Sequence, residues 1–379
     1  MKNLYVIAAS QDYEQANHKM LWKRLSQIHN TDVVVANIPA DYAVTIFKRK
    51  FDRIKEARNG PVTISESLKV VRPFLVVRPE IESTILKKKQ AKQFWKSINT
   101  AYSLEEYDEV RLIFYNAFWA KILYNTIPNL KMAYYLFDEV RNNGNDNSVN
   151  IKRYKEDIEG CQRASFIFAM SKDIAQARTE FKEKIFLLGN GAEVLVNNEV
   201  KRIEKSVAFI GNFRSWIDFD LLRGIIANNK EYSFFFIGPI EENMKDQFIF
   251  LQRNYNNVFY GGCKAKENIG EMYSMFESVI IPYKQTSFIH ATRPIKIVES
   301  VMSGTPVVTV PVSGYEQNEF IHFATDVEQF SLAIKECSKN RINKRDIAYK
   351  KFVRDNSWVS KATEIDRIFN GEKNDVVYS

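Results

Sequence analysis

Cysteine is scarce in this 379-residue chain: three residues, Cys161, Cys263 and Cys337, with no Cys-x-x-Cys pair among them. Three widely spaced thiols cannot all pair, so a disulfide framework is excluded and a reduced, cytosolic compartment is expected. Only four histidines are present, none clustered with cysteine, which argues against a dedicated zinc site; no metal is expected. No apolar run approaches 18 residues, so no membrane-spanning helix is expected. The opening MKNLYVIAAS has a short apolar stretch and no cleavage-site pattern after it, and reads as a first β-strand rather than a secretory signal. Repeats and low-complexity stretches are missing too. With 45% hydrophobic and 26% charged residues, the composition excludes collagen-like, coiled-coil and disordered chains.

What remains is an ordinary globular composition with room for two cores. Strand-like apolar runs alternate with helical patterns, the signature of α/β domains with largely parallel sheets. In the first half, strands are predicted at Leu4–Ala8, Asp32–Asn37, Leu75–Val77, Glu109–Phe114, Lys131–Leu136 and Ser165–Ala169, with helices including His18–Ile28 and Phe118–Asn125. The pattern restarts with strands at Val207–Ile210, Tyr232–Ile237, Val258–Tyr260, Ser278–Ile281 and Pro306–Val310, and helices at Phe219–Asn228 and Gly270–Phe276. Gly189-Asn190-Gly191 marks a turn near the join. The expected organisation is a domain over 1–190, a second over 191–355, and a segment 356–379 holding a last helix, Trp358–Phe369, and a disordered polar tail.

Charge is uneven along the chain. The first 100 residues carry 18 basic and 9 acidic side chains, whereas the other 279 carry 36 and 37. The whole excess therefore lies in the first quarter, which implies an anionic partner there (nucleic acid, an anionic membrane or a phosphorylated ligand) or a solvated basic face.

The most informative segment runs from Thr292 through Arg293-Pro294-Ile295-Lys296-Ile297-Val298-Glu299 to Gly304-Thr305-Pro306-Val307-Val308. Thr292 or a neighbour can cap a helix with Pro294 in its first turn, and Gly304 is placed to end it. A helix N-terminus attracts anions, and Arg293 and Lys296 add charge on that turn. Glu299, three residues beyond Lys296, shares its face, and a carboxylate can accept two sugar hydroxyls. The set describes a nucleotide-sugar site; an ordinary helix with a surface Lys/Glu pair shows the same pattern.

The string Pro-x-Lys-x-x-Glu followed by Gly-x-Pro-Val-Val resembles the donor-site helix of GT-B glycosyltransferases of the family-4 type, including the teichuronic-acid and xanthan-type glucuronosyltransferase branches. Phe209-Ile210-Gly211-Asn212-Phe213-Arg214, Phe236-Ile237-Gly238-Pro239, Asn257–Gly262 and Ile281-Pro282-Tyr283 are similar, in order, to the strands and loops of that donor domain. Gly189–Val194 looks like the joint between domains. One departure stands out: where many family-4-type enzymes carry a first glutamate, with seven residues between it and Glu299's counterpart, this chain has Ala291. That shifts the comparison towards the glucuronosyltransferase branch.

The resemblance implies two Rossmann-like domains facing across a cleft. Arg214, Gly238, Tyr283, Arg293, Lys296 and Glu299 would bind the donor, with the cations replacing a metal beside the diphosphate. Asp138, in Tyr134–Glu139, matches the proposed catalytic base of that branch, with Glu139 adjacent; from the residues alone, Asp138 can equally cap a turn. Asp12, in a loop similar to the branch's acceptor-site loop, is an alternative base, and His18 beyond it is a candidate or simply a capping, half-buried histidine. Lys87, Lys88, Lys89 and Lys92, interleaved with Phe94 and Trp95, form a basic segment able to lie on an anionic membrane or contact the acceptor, as does Phe47–Lys55. No nucleic-acid-binding motif accompanies the charge.

The expected function is transfer of a sugar from a nucleotide diphosphate sugar, by default UDP-linked with UDP-glucuronate among the candidates, to a hydroxyl of a polyprenyl-linked saccharide. The setting would be cell-surface polysaccharide synthesis on the cytoplasmic face of the membrane, without a cofactor. The alternatives are a nucleotide-sugar epimerase of the same architecture and a non-catalytic tether of polysaccharide assembly.

Overall fold

The structure, a computed structural model, describes residues 1–41, 51–75, 84–137, 147–193, 200–264 and 269–372. The chain divides into two compact units, Met1–Leu188 with Trp358–Ser379, and Gly189–Ser357.

The first unit contains β1 (Asn3–Ala8), α1 (Lys19–Leu25), β2 (Thr31–Ala36), β3 (Ala40–Asp41), α2 (Phe51–Arg58), β4 (Val62–Ser65), β5 (Leu68–Val71), β6 (Phe74–Leu75) and α3 (Thr84–Ala101). It continues through β7 (Glu109–Phe114), α4 (Phe118–Leu123), β8 (Lys131–Leu136), α5 (Asn147–Arg163), β9 (Phe166–Ala169), α6 (Lys172–Gln176) and β10 (Ile185–Leu187). Eight strands form one sheet in the order β10-β9-β8-β7-β1-β2-β5-β4, with β3 and β6 pairing separately. All neighbours are parallel except β4, which runs antiparallel on β5. The central strand shows why: Leu4 to Ala8 are wholly buried, as in a parallel strand covered by helices on both faces.

The second unit contains β11 (Ser206–Ile210), α7 (Phe219–Asn228), β12 (Ser233–Ile237), α8 (Lys245–Asn254), β13 (Val258–Gly262), α9 (Ile269–Ser274) and β14 (Ser278–Ile281). After these come α10 (Ser287–Ala291), α11 (Ile295–Met302), β15 (Val307–Thr309), β16 (Ile321–Phe323), α12 (Val327–Lys339) and α13 (Ile347–Asp355). Its six strands are all parallel, in the order β13-β12-β11-β14-β15-β16. Helix starts follow capping chemistry: the side chains of Asp218, Asp326 and Asp346 accept from amides in the first turns of α7, α12 and α13.

The last helix, α14 (Trp358–Phe369), belongs to the first unit and packs on α1. Its apolar stripe Trp358, Ala362, Ile365 and Phe369 follows helical spacing and is buried. Polar ties fix it further. Arg111 Nη1 donates to Asp366 Oδ1 at 2.7 Å and to the Tyr5 hydroxyl at 2.9 Å, and Lys131 Nζ reaches the Phe369 carbonyl at 3.0 Å.

Several expectations need correction. The Leu75–Val77 strand is only the two-residue β6 up to Leu75, and Val76 and Val77 lie outside the described residues. β4, β5, β10 and β16 were not foreseen as strands. Residues 373–379 of the tail also lie outside the described residues.

Candidate functional site

In an open parallel sheet, ligands bind beyond the carboxyl ends of the strands, where the connections leave the sheet in opposite directions. In the second unit that point is β11, flanked by β12 on one side and β14 on the other. The residues following these three strands are Gly211, Gly238 and, beyond Pro282, Tyr283. Gly211 has φ +137° and Gly238 φ +132°, a region closed to residues with a side chain. A Cβ on Gly238 would strike the Gly211 carbonyl, and one on Gly211 would strike the Lys296 ammonium. The two glycines therefore let the strand ends close up and leave a floor beneath Lys296.

Lys296 sits in the first turn of α11. Its Nζ lies 4.5 Å from the Phe209 ring centroid and 5.4 Å from that of Tyr283. Among the described residues it has no hydrogen-bond or ion-pair partner. A half-buried ammonium resting on two π-faces keeps its donors for something outside the protein. Tyr283 is itself buried, and the loop carrying Trp216 and Ile217 pairs with it: Lys284 N donates to the Trp216 carbonyl at 2.8 Å, and Ile217 bridges Tyr283.

The start of α11 differs from expectation. Pro294 is the N-cap rather than a first-turn residue, and Thr292 instead ends the preceding helix, α10. Arg293 thus precedes the helix. Its guanidinium stacks 4.7 Å from the Tyr315 ring centroid and donates to Asn356 Oδ1 at 3.3 Å. Burial pushes the Tyr315 phenol up, and the Arg293 charge opposes that. Gly189, at φ +70°, lies against the same guanidinium, while Asn190 Nδ2 donates to the Arg293 carbonyl at 2.5 Å. The segment read as a domain joint is therefore also the support for Arg293. At its far end α11 stops at Gly304, φ +86°, whose carbonyl accepts from Arg202.

Glu299, one turn after Lys296, is 8% exposed and accepts from the Tyr273 hydroxyl at 3.4 Å. Burial first, and the Glu299 charge second, hold the Tyr273 phenol well above its ordinary value, so it stays the donor. Arg214 is paired with Glu241 at 3.1 Å and lies 4.9 Å from the Trp216 ring centroid. The structure thus gathers Gly211, Gly238, Tyr283, Lys296 and Glu299 around the end of β11. Arg214 is committed to its own carboxylate. Tyr315 was missed, and the contacts of Phe209 and Trp216 with cations were not legible: each is an ordinary apolar position by pattern, and only the fold brings its ring under a cation.

In the first unit, Asp138 and Glu139 lie outside the described residues. Asp12 is held by two arginines and a backbone amide. Its Oδ1 accepts from Arg72 Nη1 at 2.9 Å and the Ile38 amide at 3.1 Å, and its Oδ2 lies 3.7 Å from Arg53. Those oxygens tie the loop after β1 to Arg72. His18 lies half-buried among rings, with centroids of Tyr135 at 5.0 Å, Tyr115 at 5.4 Å, Trp358 at 5.7 Å and Phe137 at 6.1 Å.

The basic segment also needs correction. Phe94 is 0% and Trp95 7% exposed, so these aromatics belong to the core and cannot interleave with lysines on a surface. The outer face of α3 is instead Ile85, Lys88, Lys89, Lys92 and Lys96. Residues 47–50 of the second basic stretch lie outside the described residues. Among the described residues, no helix is long and apolar enough to cross a membrane.

No family model matches the chain. It is 25% identical over 209 residues to the Bacillus subtilis (strain 168) protein TuaH, whose name provisionally makes it a teichuronic acid biosynthesis glycosyltransferase. That match covers 51% of this chain and 52% of TuaH, so the chain spans about half the length of the curated relative it matches. Among solved structures it is similar to sucrose-phosphate synthase from Thermosynechococcus elongatus, with a TM-score of 0.70 at 11% identity, over 98% of this chain and 99% of that one. It is also similar to Anabaena HepE in complex with UDP, with a TM-score of 0.62 at 14% identity, over 98% of this chain and the whole of that one. At such identities the likeness establishes the fold: the chain has the GT-B fold of glycosyltransferases, two Rossmann-like α/β halves with parallel sheets.

Proposed function

We propose that the chain is a glycosyltransferase that takes a sugar from a nucleotide diphosphate sugar bound by the second unit. The observation that carries this reading is Lys296. Its ammonium, without a hydrogen-bond or ion-pair partner among the described residues, is held over a glycine floor at the end of β11, where departing diphosphate charge can be received. A fixed cation aimed at developing charge, inside a partly dehydrated site, supplies the stabilisation that transfer requires. Arg293 and the α11 amides add to it, so the reaction runs without a metal. Glu299 holds the ribose, and Tyr283 closes the floor. The UDP bound to HepE supports uridine as the base, with UDP-glucuronate among the candidate donors.

The acceptor hydroxyl is deprotonated by Asp138, on the strength of the resemblance, with Glu139 beside it. The teichuronic acid name of TuaH supports an acceptor saccharide of a cell-surface polysaccharide, linked to a polyprenyl diphosphate and met at the cytoplasmic membrane face. No cofactor takes part.

The test is UDP release from UDP-glucose, UDP-N-acetylglucosamine and UDP-glucuronate, with and without a polyprenyl-diphosphate-linked saccharide, in the presence of a chelator. Acceptor-dependent UDP release that persists with chelator and is lost in Lys296→Ala is the expected result. Conversion of the donor to its epimer without acceptor overturns transfer in favour of an epimerase. Absence of nucleotide binding and turnover leaves only the tether.

A further inference from the structure

A concavity of about 600 Å³ lies between α3 and the segment Lys121–Ile127 at the end of α4. Its lining includes Lys87, Lys88 and Lys92 from α3, Lys121 from α4, and the rings of Trp95 and Tyr124. The framework is fixed: Trp95 Nε1 donates to Thr126 Oγ1 at 2.8 Å, and the Thr126 hydroxyl donates to the Leu123 carbonyl at 2.6 Å. Among the described residues, only one of the four ammonium groups has a carboxylate partner. Lys121 Nζ lies 3.2 Å from Glu159 Oε2, whereas Lys87, Lys88 and Lys92 have no carboxylate within ion-pair reach among the described residues.

Lys88 and Lys92 stand four apart on one helix, where like charges repel. Stability alone gives no reason to converge unneutralised cations on a hollow, and an anion in the hollow removes the repulsion. The rim indicates which anion. Ile85 is 81% exposed, one turn before Lys88 on the same face, and Tyr124 is 44% exposed at the opposite lip. Lysines along the lining, with exposed apolar side chains nearby, match a phosphate headgroup with hydrocarbon next to it.

We propose that this pocket binds the phosphate of an anionic membrane phospholipid, seating the first unit on the membrane through one headgroup site rather than a diffuse basic face. The site deepens the membrane part of the proposed function but is tested without donor or acceptor, so its failure leaves the transfer reading standing.

The experiment is sedimentation of the full chain with phosphatidylcholine vesicles that contain or lack phosphatidylglycerol, at about 0.15 M salt. Binding should require phosphatidylglycerol and fall about thirtyfold in Lys88→Ala/Lys92→Ala, the loss expected of two lysines at an anionic surface. Lys88→Arg/Lys92→Arg should retain it. Lys23→Ala/Lys55→Ala removes the same charge from exposed positions on α1 and α2 and should cost about threefold at most. Equal losses in the two alanine pairs overturn the pocket in favour of diffuse charge. A calorimetric signal for inorganic phosphate that Lys88→Ala/Lys92→Ala abolishes, with vesicle binding unchanged, overturns the lipid in favour of a free phosphate.

Discussion

In the unit formed by residues 1–188 and 358–379, buried cations are matched to carboxylates. Arg178 and Asp157, both fully buried, form a two-pronged pair with Nε–Oδ2 at 3.0 Å and Nη2–Oδ1 at 3.1 Å. Arg111 is held by Asp366, and Arg72 by Asp12 and Glu56. In the unit 189–357, the cation at the end of β11 rests on rings instead: Lys296 lies over Phe209 and Tyr283. Matched charges hold a fold together and leave nothing for a ligand. A cation kept on aromatic faces is held in place while its donors stay open to a ligand, and such places are where function is found.

The sharpest way to break the contrast is to remove one charge from each kind of site. Asp157→Ala leaves Arg178 buried and uncompensated, and should destabilise the chain by about 3–5 kcal/mol. Denaturant unfolding measures this, and Arg178→Met with Asp157→Leu should recover most of the loss. Lys296→Ala should do the reverse: kcat for transfer falls about 10²–10³-fold, while stability moves by about 0.5 kcal/mol or less. A large fall in the midpoint for Lys296→Ala would make that lysine structural and remove the contrast.

How much of this was legible follows from how far apart the partners lie in sequence. β7, β8 and β14 and the helices Phe219–Asn228 and Trp358–Phe369 are local apolar patterns with clear ends, and reading them needs no tertiary knowledge. β4 was missed because all four of its residues are exposed, so Val-Thr-Ile-Ser carries no burial signal. In β5, Lys69 interrupts a run that is already short. The Lys296–Glu299 spacing was visible because one helix carries both. Support for Arg293 comes from residues 189, 190, 315 and 356, which no window spans. The hold of Arg72 on Asp12, sixty residues apart, is equally beyond a local window. The error at Phe94 and Trp95 was avoidable: Ala91, Phe94, Trp95 and Ile98 repeat at three and four, a core stripe rather than a surface one.

The glycine floor gives a smaller, separable effect. Gly211→Ala places a Cβ where Lys296 Nζ lies, at a φ that suits only glycine, and should cost about 1–3 kcal/mol in stability. It should also weaken nucleotide binding by displacing the ammonium, whereas Gly60→Ala, at φ +80° with open space around it, should cost stability alone. Calorimetric titration with UDP separates the two, and equal UDP affinity in both variants would show that the floor does not position Lys296.

The smallest effect comes from a half-buried base in the second unit. His322, on β16, has its pKa lowered by burial, with Glu336, 3.8 Å from Nδ1, pulling the other way. Above the ordinary value of 6.5 the ring is neutral in both folded and unfolded chains and contributes no pH dependence. As pH falls below 6.5, the unfolded chain takes up the proton first, so folding loses stability, and the loss stops growing once the folded ring is protonated as well. Thermal midpoints at pH 7.5 and 5.5 should therefore fall further for the natural chain than for His322→Gln. Because Glu336 partly offsets the burial, the difference is slight. It nevertheless marks the same contrast: the partly matched ring titrates against the fold, whereas the carboxylate-matched arginines of the first unit stay charged throughout this range.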